Sequence, residues 1–211
     1  MEKLDLRKQY KHLYQPSAKT VEVVDVPPLK FVMIDGEIEQ GHSPGSSPAF
    51  LQAMEALYGI SYTLKFAAKQ RQEDAFDYTV MGLEALWWVE SGQFDITRPD
   101  NWSWRAMILQ PDLISQEMFL GTLDQLRKKK PGPSIDRLRF ESFHEGLCVQ
   151  TMHIGPYSQE PATVARMEAY AEENGYRMHG LHHEIYLGDP RRSSPEKLKT
   201  VLRHPVERAG T

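Results

Sequence analysis

An echo within the chain constrains its fold more than any other feature. Pro48-Ala49 and Met54-Glu55-Ala56 return as Pro161-Ala162 and Met167-Glu168-Ala169, 113 residues further on. Phe50, Leu51, Met54, Leu57 and Tyr58 recur at helical spacing in the first copy. Each copy follows a β-rich run ending in glycine, Ile34-Asp35-Gly36 in one case and His153-Ile154-Gly155 in the other. Each precedes two more strand-like runs, and the second strand of each set carries a glutamate, Glu84 or Glu184. Five matches over nine positions admit coincidence, and the shared order of elements is what favours duplication. Duplicated halves pack about a pseudo-two-fold axis, and a cleft between modules is a common ligand site. The expected fold class is therefore α+β: two strand–helix–strand–strand modules around a central ligand groove.

The expected boundaries follow. Residues 1–20 form a lead-in helix or unattached arm. Residues 21–205 form a single small-molecule-binding domain, with module one over about 21–110 and module two over about 111–190. Residues 191–211 form a polar C-terminal tail, with a helical turn at Pro195 to Leu202. Val21–Val26 and Lys30–Gly36 read as strands. A helix starts at Ser47-Pro48, where serine caps and proline is tolerated, and Gly59 closes it. Ser61–Phe66, Thr79–Val89 and Trp102–Leu109 read as strands. Asp112–Lys130 reads as an amphipathic helix with Leu113, Met118, Leu120, Leu123 and Leu126 apolar. Ile135–Phe143 and Leu147–Ile154 pair across a turn at His144-Glu145-Gly146. A helix over Gln159–Asn174 precedes short strands at Tyr176–Leu181 and His183–Leu187.

Composition sets aside several classes. With one cysteine, Cys148, the 211-residue chain builds no internal disulfide framework. The charged N-terminus does not read as a signal peptide, and no run reaches membrane-span length. A cytoplasmic location is expected. The formal net charge of -4 argues against a broad nucleic-acid surface. Among eight histidines only His182-His183 are adjacent, and neighbours on a strand face opposite ways, so no metal site and no cofactor are expected. Cys148 sits in an apolar run and reads as a buried structural thiol.

Strand alternation then nominates a site. Trp102 and Trp104 share a face, as do His182, Glu184 and Tyr186, and as do Glu84, Leu86 and Trp88. Each half offers a glutamate with an aromatic two residues on, which suits an apolar cation. The alternative is solvated glutamates on strand edges and aromatics in the core. A glutamate among rings loses solvation and becomes a stronger base once ionised. Tyr157 follows His153-Ile154-Gly155-Pro156 and is placed to donate a hydrogen bond nearby, so base and donor together meet the minimum for adding water to an electrophilic ring.

The stretches HIGPYSQEPATVARMEAYAEENGY and HHEIYLGDPRR resemble the GyrI-like small-molecule-binding superfamily. GLEALWW and NWSWRAMILQP are similar to its stand-alone, two-tryptophan branch. The likeness runs from Val21 to about Pro205. It implies the fold of bacterial transcription-activator effector-binding domains, and ligands that are bulky, aromatic and often cationic. It implies Glu184 as the key acidic residue. By likeness to members that hydrolyse cyclopropanoid natural products, Glu184 deprotonates water, Tyr157 assists, and Trp102 and Trp104 hold the substrate. Glu84, Trp88, Tyr186 and His182 complete the expected ligand-binding set. The first twenty residues are too short for the DNA-binding domain of multidrug-sensing relatives, so a regulator role is set aside. The expected partner is a lipophilic aromatic or cationic small molecule, with no direct nucleic-acid or membrane contact, and the chain a monomer or weak dimer. Three readings stay open: a ring-opening hydrolase, a non-catalytic multidrug binder, and a gyrase-inhibitor-like interaction protein.

Overall fold

A computed structural model describes residues 3–210, with Asp100 as backbone alone. Met1, Glu2 and Thr211, the outermost residues of the expected lead-in and tail, lie outside these. The elements in chain order are β1 (Lys3–Leu4), α1 (Leu6–Gln9), α2 (Lys11–Tyr14), β2 (Glu22–Val26), β3 (Leu29–Glu37) and α3 (Pro48–Lys69). Then come β4 (Asp77–Tyr78), β5 (Glu84–Trp88), β6 (Ser103–Leu109), α4 (Gln116–Lys129), α5 (Pro133–Asp136), β7 (Arg139–Phe143) and β8 (Gly146–Ile154). The chain ends with α6 (Glu160–Glu173), β9 (Tyr176–Met178), β10 (His182–Tyr186) and β11 (Lys199–Arg208). The fold is α+β, with the strands curled into an antiparallel half-barrel.

The main sheet runs β2-β8-β11-β10-β5-β6-β3-β7, with β9 on β11. Its two halves are β3–α3–β5–β6 and β8–α6–β10–β11, and they meet where β5 pairs with β10. The order mirrors about that seam. The outermost strands are exchanged: β2 leads into β3 yet borders β8, while β7 leads into β8 yet borders β3. The expected hairpin of Ile135–Phe143 with Leu147–Ile154 is therefore not made. Ile135 lies in the short helix α5, and β7 and β8 part to opposite edges.

Direct cross-strand partners share a face, which assigns the sheet's two sides. Glu84, Leu86, His183, Ile185, Val201, Arg203 and Gln150 line one. Ala85, Trp87, Trp104, His182, Glu184, Tyr186, Thr200 and Leu202 line the other. Helices α3 and α6 cover the second side. Phe50 of α3 packs on Trp87 and Trp104, at ring-centroid distances of 5.1 and 5.2 Å. Met167 and Ala171 of α6 bury with Val149, Leu202 and Val206.

Three sequence expectations give way here. Gly59 does not end α3, which continues through Ser61–Phe66 to Lys69. Ile60 and Leu64 extend the apolar stripe and are fully buried. A side chain at 59 would meet Leu126 of α4 only at an ordinary contact distance of 3.9 Å, so it is the buried stripe on either side that carries the helix through this glycine. The start of α3 is as expected, with Ser47 Oγ accepting from Phe50 N at 3.1 Å, a cap worth about 1 kcal/mol. Leu113 and Leu120 are exposed, and Phe119, Leu123 and Leu126 are the core residues of α4.

The third correction is larger. The polar tail contains β11, ten residues long and central to the sheet, preceded by a 3-10 turn over Pro195–Lys197. Its charges disguise it, because Arg203 is 1% exposed and held by a buried network. That network also fastens the N-terminal segment, which is not an unattached arm. Leu13 and Tyr14 are buried. Tyr14 Oη donates to Glu84 Oε1 at 2.7 Å, and Arg203 Nη2 donates to Leu13 O at 2.8 Å. Gln150 Nε2 donates to His12 O at 2.6 Å and to Glu22 Oε1 at 2.9 Å.

Candidate functional site

Strand β10 carries two different clusters on its two sides, because successive residues point oppositely. On the helix-covered side stand His182, Glu184 and Tyr186. Glu184 is 6% exposed. Tyr186 Oη donates to Glu184 Oε2 at 2.6 Å. His182 Nε2 lies 3.3 Å from Glu184 Oε1, an ion-pair separation without a well-aligned hydrogen bond. One carboxylate oxygen is thus fully engaged and the other faces an imidazole edge.

Aromatic rings wall this carboxylate. Tyr157, on the 3-10 turn Tyr157–Gln159 before α6, meets Tyr186 edge to face at 5.9 Å. Phe94 lies 4.9 Å from Trp102 and stacks on His182 at 5.7 Å. Trp102 in turn packs on Trp87 at 5.2 Å. Burial, and after it the charges of Glu184 and Glu160, push the Tyr157 hydroxyl up to about 12. Tyr186 is raised well above the usual range, by burial first and then by Glu184. Both phenols therefore keep their protons and are donors at neutral pH.

A second carboxyl completes the cluster. Glu160, the first residue of α6, is 2% exposed, and its Oε1 makes no hydrogen bond. Burial, then the neighbouring charge of Glu184, raises it to about 9. It therefore keeps its proton at neutral pH. Thr200, on β11 opposite Tyr186, is buried beside Glu160, and its hydroxyl partly offsets that rise. His204 packs 6.1 Å from His182 and is lowered to about 4, by burial and then by His182.

Of the residues nominated from sequence, Glu184, Tyr186, His182, Tyr157 and Trp102 come together. Trp104 shares their side of the sheet but is sealed between Phe50 and Gly36, at 1% exposure, and reads as core. Glu84 and Trp88 stand on the other side. The reason is register: Glu84 pairs with Ile185 and Ala85 with Glu184, so the two glutamates differ by one residue and by one face. They do not flank one groove. Trp88 instead borders a surface groove of about 440 Å³ with Asp35, Glu37, Glu90 and Arg137. Glu84 belongs to the buried network. His183 Nε2 lies 3.2 Å from Glu84 Oε2, His183 Nδ1 bonds Glu145 Oε1 at 3.0 Å, and Arg203 Nη1 donates to Glu145 Oε2 at 3.1 Å. Glu84 and Glu145 face His183 and Arg203 there. Cys148 is buried beside this network, and burial raises its thiol far above reactive values.

Sequence reading missed Glu160, Thr200 and Phe94. Glu160 left one trace, an acidic residue three positions after Tyr157 at a helix start. Thr200 and Phe94 left none, since one sits in the undetected β11 and the other in a polar loop.

Comparison with known proteins matches the model of the GyrI-like small molecule binding domain to residues 19–207. An uncharacterized conserved protein from Listeria innocua superposes with a TM-score of 0.88 at 38% identity, over 97% of this chain and 100% of that one. Hydrolase structures from Listeria innocua match with TM-scores of 0.85 and 0.82 at 37% and 36% identity, over 98% and 97% of this chain and 100% of those. No curated protein matches.

Proposed function

Given that this chain belongs to the GyrI-like small-molecule-binding family, we propose that its aromatic cluster around Glu184 takes bulky, flat, often cationic molecules and hydrolyses electrophilic cyclopropanoid compounds with Glu184 as base. The observation that carries this reading is one carboxyl group, 6% exposed, bonded by Tyr186 and bordered by His182, with Tyr157 and Phe94 packed on those two rings. Rings and a single negative charge favour a flat cation. The hydrolase relatives support the catalytic half.

The proposed reaction adds water across a strained ring conjugated to a carbonyl. Water oxygen bonds the ring carbon, the ring C–C bond breaks, and its electron pair moves into the conjugated system. Glu184 takes the water proton, and the carbonyl oxygen ends as a hydroxyl after taking a proton from the pocket or solvent. Tyr186 fixes Oε2, so the lone pairs of Oε1 are the ones free to receive the proton. Tyr157, protonated to about 12, offers a hydrogen bond and never competes as a base.

The test is incubation with a cyclopropanoid alkylator, following the water-added product by mass spectrometry. Glu184→Gln is expected to slow turnover by roughly 10²–10⁴-fold, the range for loss of a general base. Unchanged turnover in that variant overturns the mechanism. Saturable quenching of tryptophan by rhodamine 6G with no turnover of any cyclopropanoid leaves a binding protein without chemistry.

A further inference from the structure

The loop between β5 and β6 places a phenyl ring inside the site. Ser91, Gly92, Gln93 and Asp95 are exposed, while Phe94 among them turns inward. Its ring lies 4.9 Å from Trp102 at 36° and 5.7 Å from His182 at 26°. The first pair is tilted and the second stacked, both within the range of favourable ring contacts. His182 is in turn the residue 3.3 Å from Glu184 Oε1. A flat aromatic group belonging to the chain thus stacks on the imidazole that borders the carboxylate.

We propose that Phe94 is a built-in stand-in for ligand, and that a flat aromatic enters by displacing it from between Trp102 and His182. The proposal rests on the reading of this pocket as a site for flat aromatics. Phe94 then sets specificity: a ligand must stack better than a benzene ring to gain the slot.

Two further observations favour displacement over a permanent wall. His182 Nε2 has only Glu184 Oε1 beside it, at 3.3 Å and without a well-aligned hydrogen bond, and a phenyl ring cannot supply one. Leaving buried polar atoms unpaired is costly, and a ligand with polar substituents relieves that cost. The loop backbone is also held on both sides of Phe94. Glu90 Oε1 receives Trp88 Nε1 at 2.7 Å and Ser103 Oγ at 3.0 Å, pinning both ends. Trp102 Nε1 donates to Asp95 O at 3.2 Å. The ring swings out by side-chain rotation while those anchors on either side of it hold.

The experiment uses rhodamine 6G binding to the full chain by fluorescence anisotropy and stopped flow. Phe94→Ala is expected to bind the dye about tenfold more tightly, the equivalent of one aromatic stacking contact no longer displaced, with a faster association rate. Phe94→Trp, which fills the slot with a better stacking ring, is expected to bind more weakly than the native chain. In parallel, 4-fluorophenylalanine at position 94 is expected to show a ring-current-shifted ¹⁹F resonance that moves to the solvent-exposed position as dye is added. Equal or weaker dye binding by Phe94→Ala, or a ¹⁹F signal indifferent to bound dye, overturns the proposal and leaves the pocket reading intact. If neither native chain nor Phe94→Ala binds any flat dye, the pocket reading falls and this proposal with it.

Discussion

Glu145→Gln tests the buried network that binds β10 to the rest of the fold. Burial alone would raise the Glu145 carboxyl, but the charges of His183 and Arg203 overcome it and bring it to about 2. Burial alone would lower His183, but Glu145 and then Glu84 overcome it and bring the imidazole to about 9. His183 is raised above its ordinary 6.5, so its stabilisation is complete below 6.5 and lost as pH climbs through about 9. Glu145 is depressed from 4.5, so its stabilisation is complete above 4.5 and lost as pH falls through about 2. The two shifts describe largely one interaction and do not add. Each corresponds to on the order of 3 kcal/mol. Glutamine keeps the shape and removes the charge, leaving His183 and Arg203 facing Glu84 alone. Breaking a buried pair in this way costs about 3–5 kcal/mol. Urea unfolding of both proteins, followed by tryptophan fluorescence from pH 3 to 9.5, gives a stability difference at each pH. That difference is expected to form a plateau between 4.5 and 6.5 and to shrink on both sides. Glu160 also titrates across this range, but it contributes to both proteins and cancels. A flat difference curve, or a plateau below about 1 kcal/mol, refutes the argument.

Other outcomes are expected from the same geometry. Glu160 is raised from 4.5 to about 9, so its stabilising contribution is complete below 4.5 and lost as pH rises through about 9. Glu160→Gln is therefore expected to gain thermal stability relative to the native chain between pH 5 and 9, and a pH-independent difference in melting temperature counts against it. Gly36→Ala places a Cβ 2.2 Å from Trp104 Cζ2, and Trp104 is hemmed in by Phe50. Calorimetry is expected to show a loss of about 1–3 kcal/mol, and an unchanged melting temperature sinks the claim. Tyr14→Phe leaves Glu84 Oε1 without its donor, at an expected cost of about 1.5–3 kcal/mol in urea titration. A loss under about 0.5 kcal/mol means the N-terminal segment does not depend on that bond.

The strand–helix–strand–strand order was legible because its signals are local: the Ser47-Pro48 start, the Pro161-Ala162 echo, and the β-branched runs that became β2 and β3. Register was not legible. A one-residue difference between Glu84 and Glu184 looks trivial in a sequence and reverses a side chain's face in a sheet. β11 was hidden because Lys199, Arg203, His204 and Glu207 read as solvated residues, whereas Arg203 is neutralised internally by Glu145. Gly59 misled in the opposite sense, a helix breaker by propensity that lies inside a helix held by the buried Leu57, Ile60 and Leu64. In the site, Glu184, His182 and Tyr186 were found together because they share one strand and alternation alone groups them. Phe94 and Thr200 join only through tertiary contacts between elements far apart in the chain.

The exchanged border strands dictate when this protein becomes foldable. Glu22 of β2 waits for Gln150 of β8, 128 residues later, before it has a neighbour to bond. During synthesis the first half therefore emerges with an uncovered rim at β3, and β2 beside it has nowhere to dock. Such long-range closure is slow and leaves sticky backbone exposed meanwhile. Severing the chain near Pro111 yields two pieces that each lack a margin held by the other. Mixed together they have a reason to reassociate, and kept apart each is expected to aggregate.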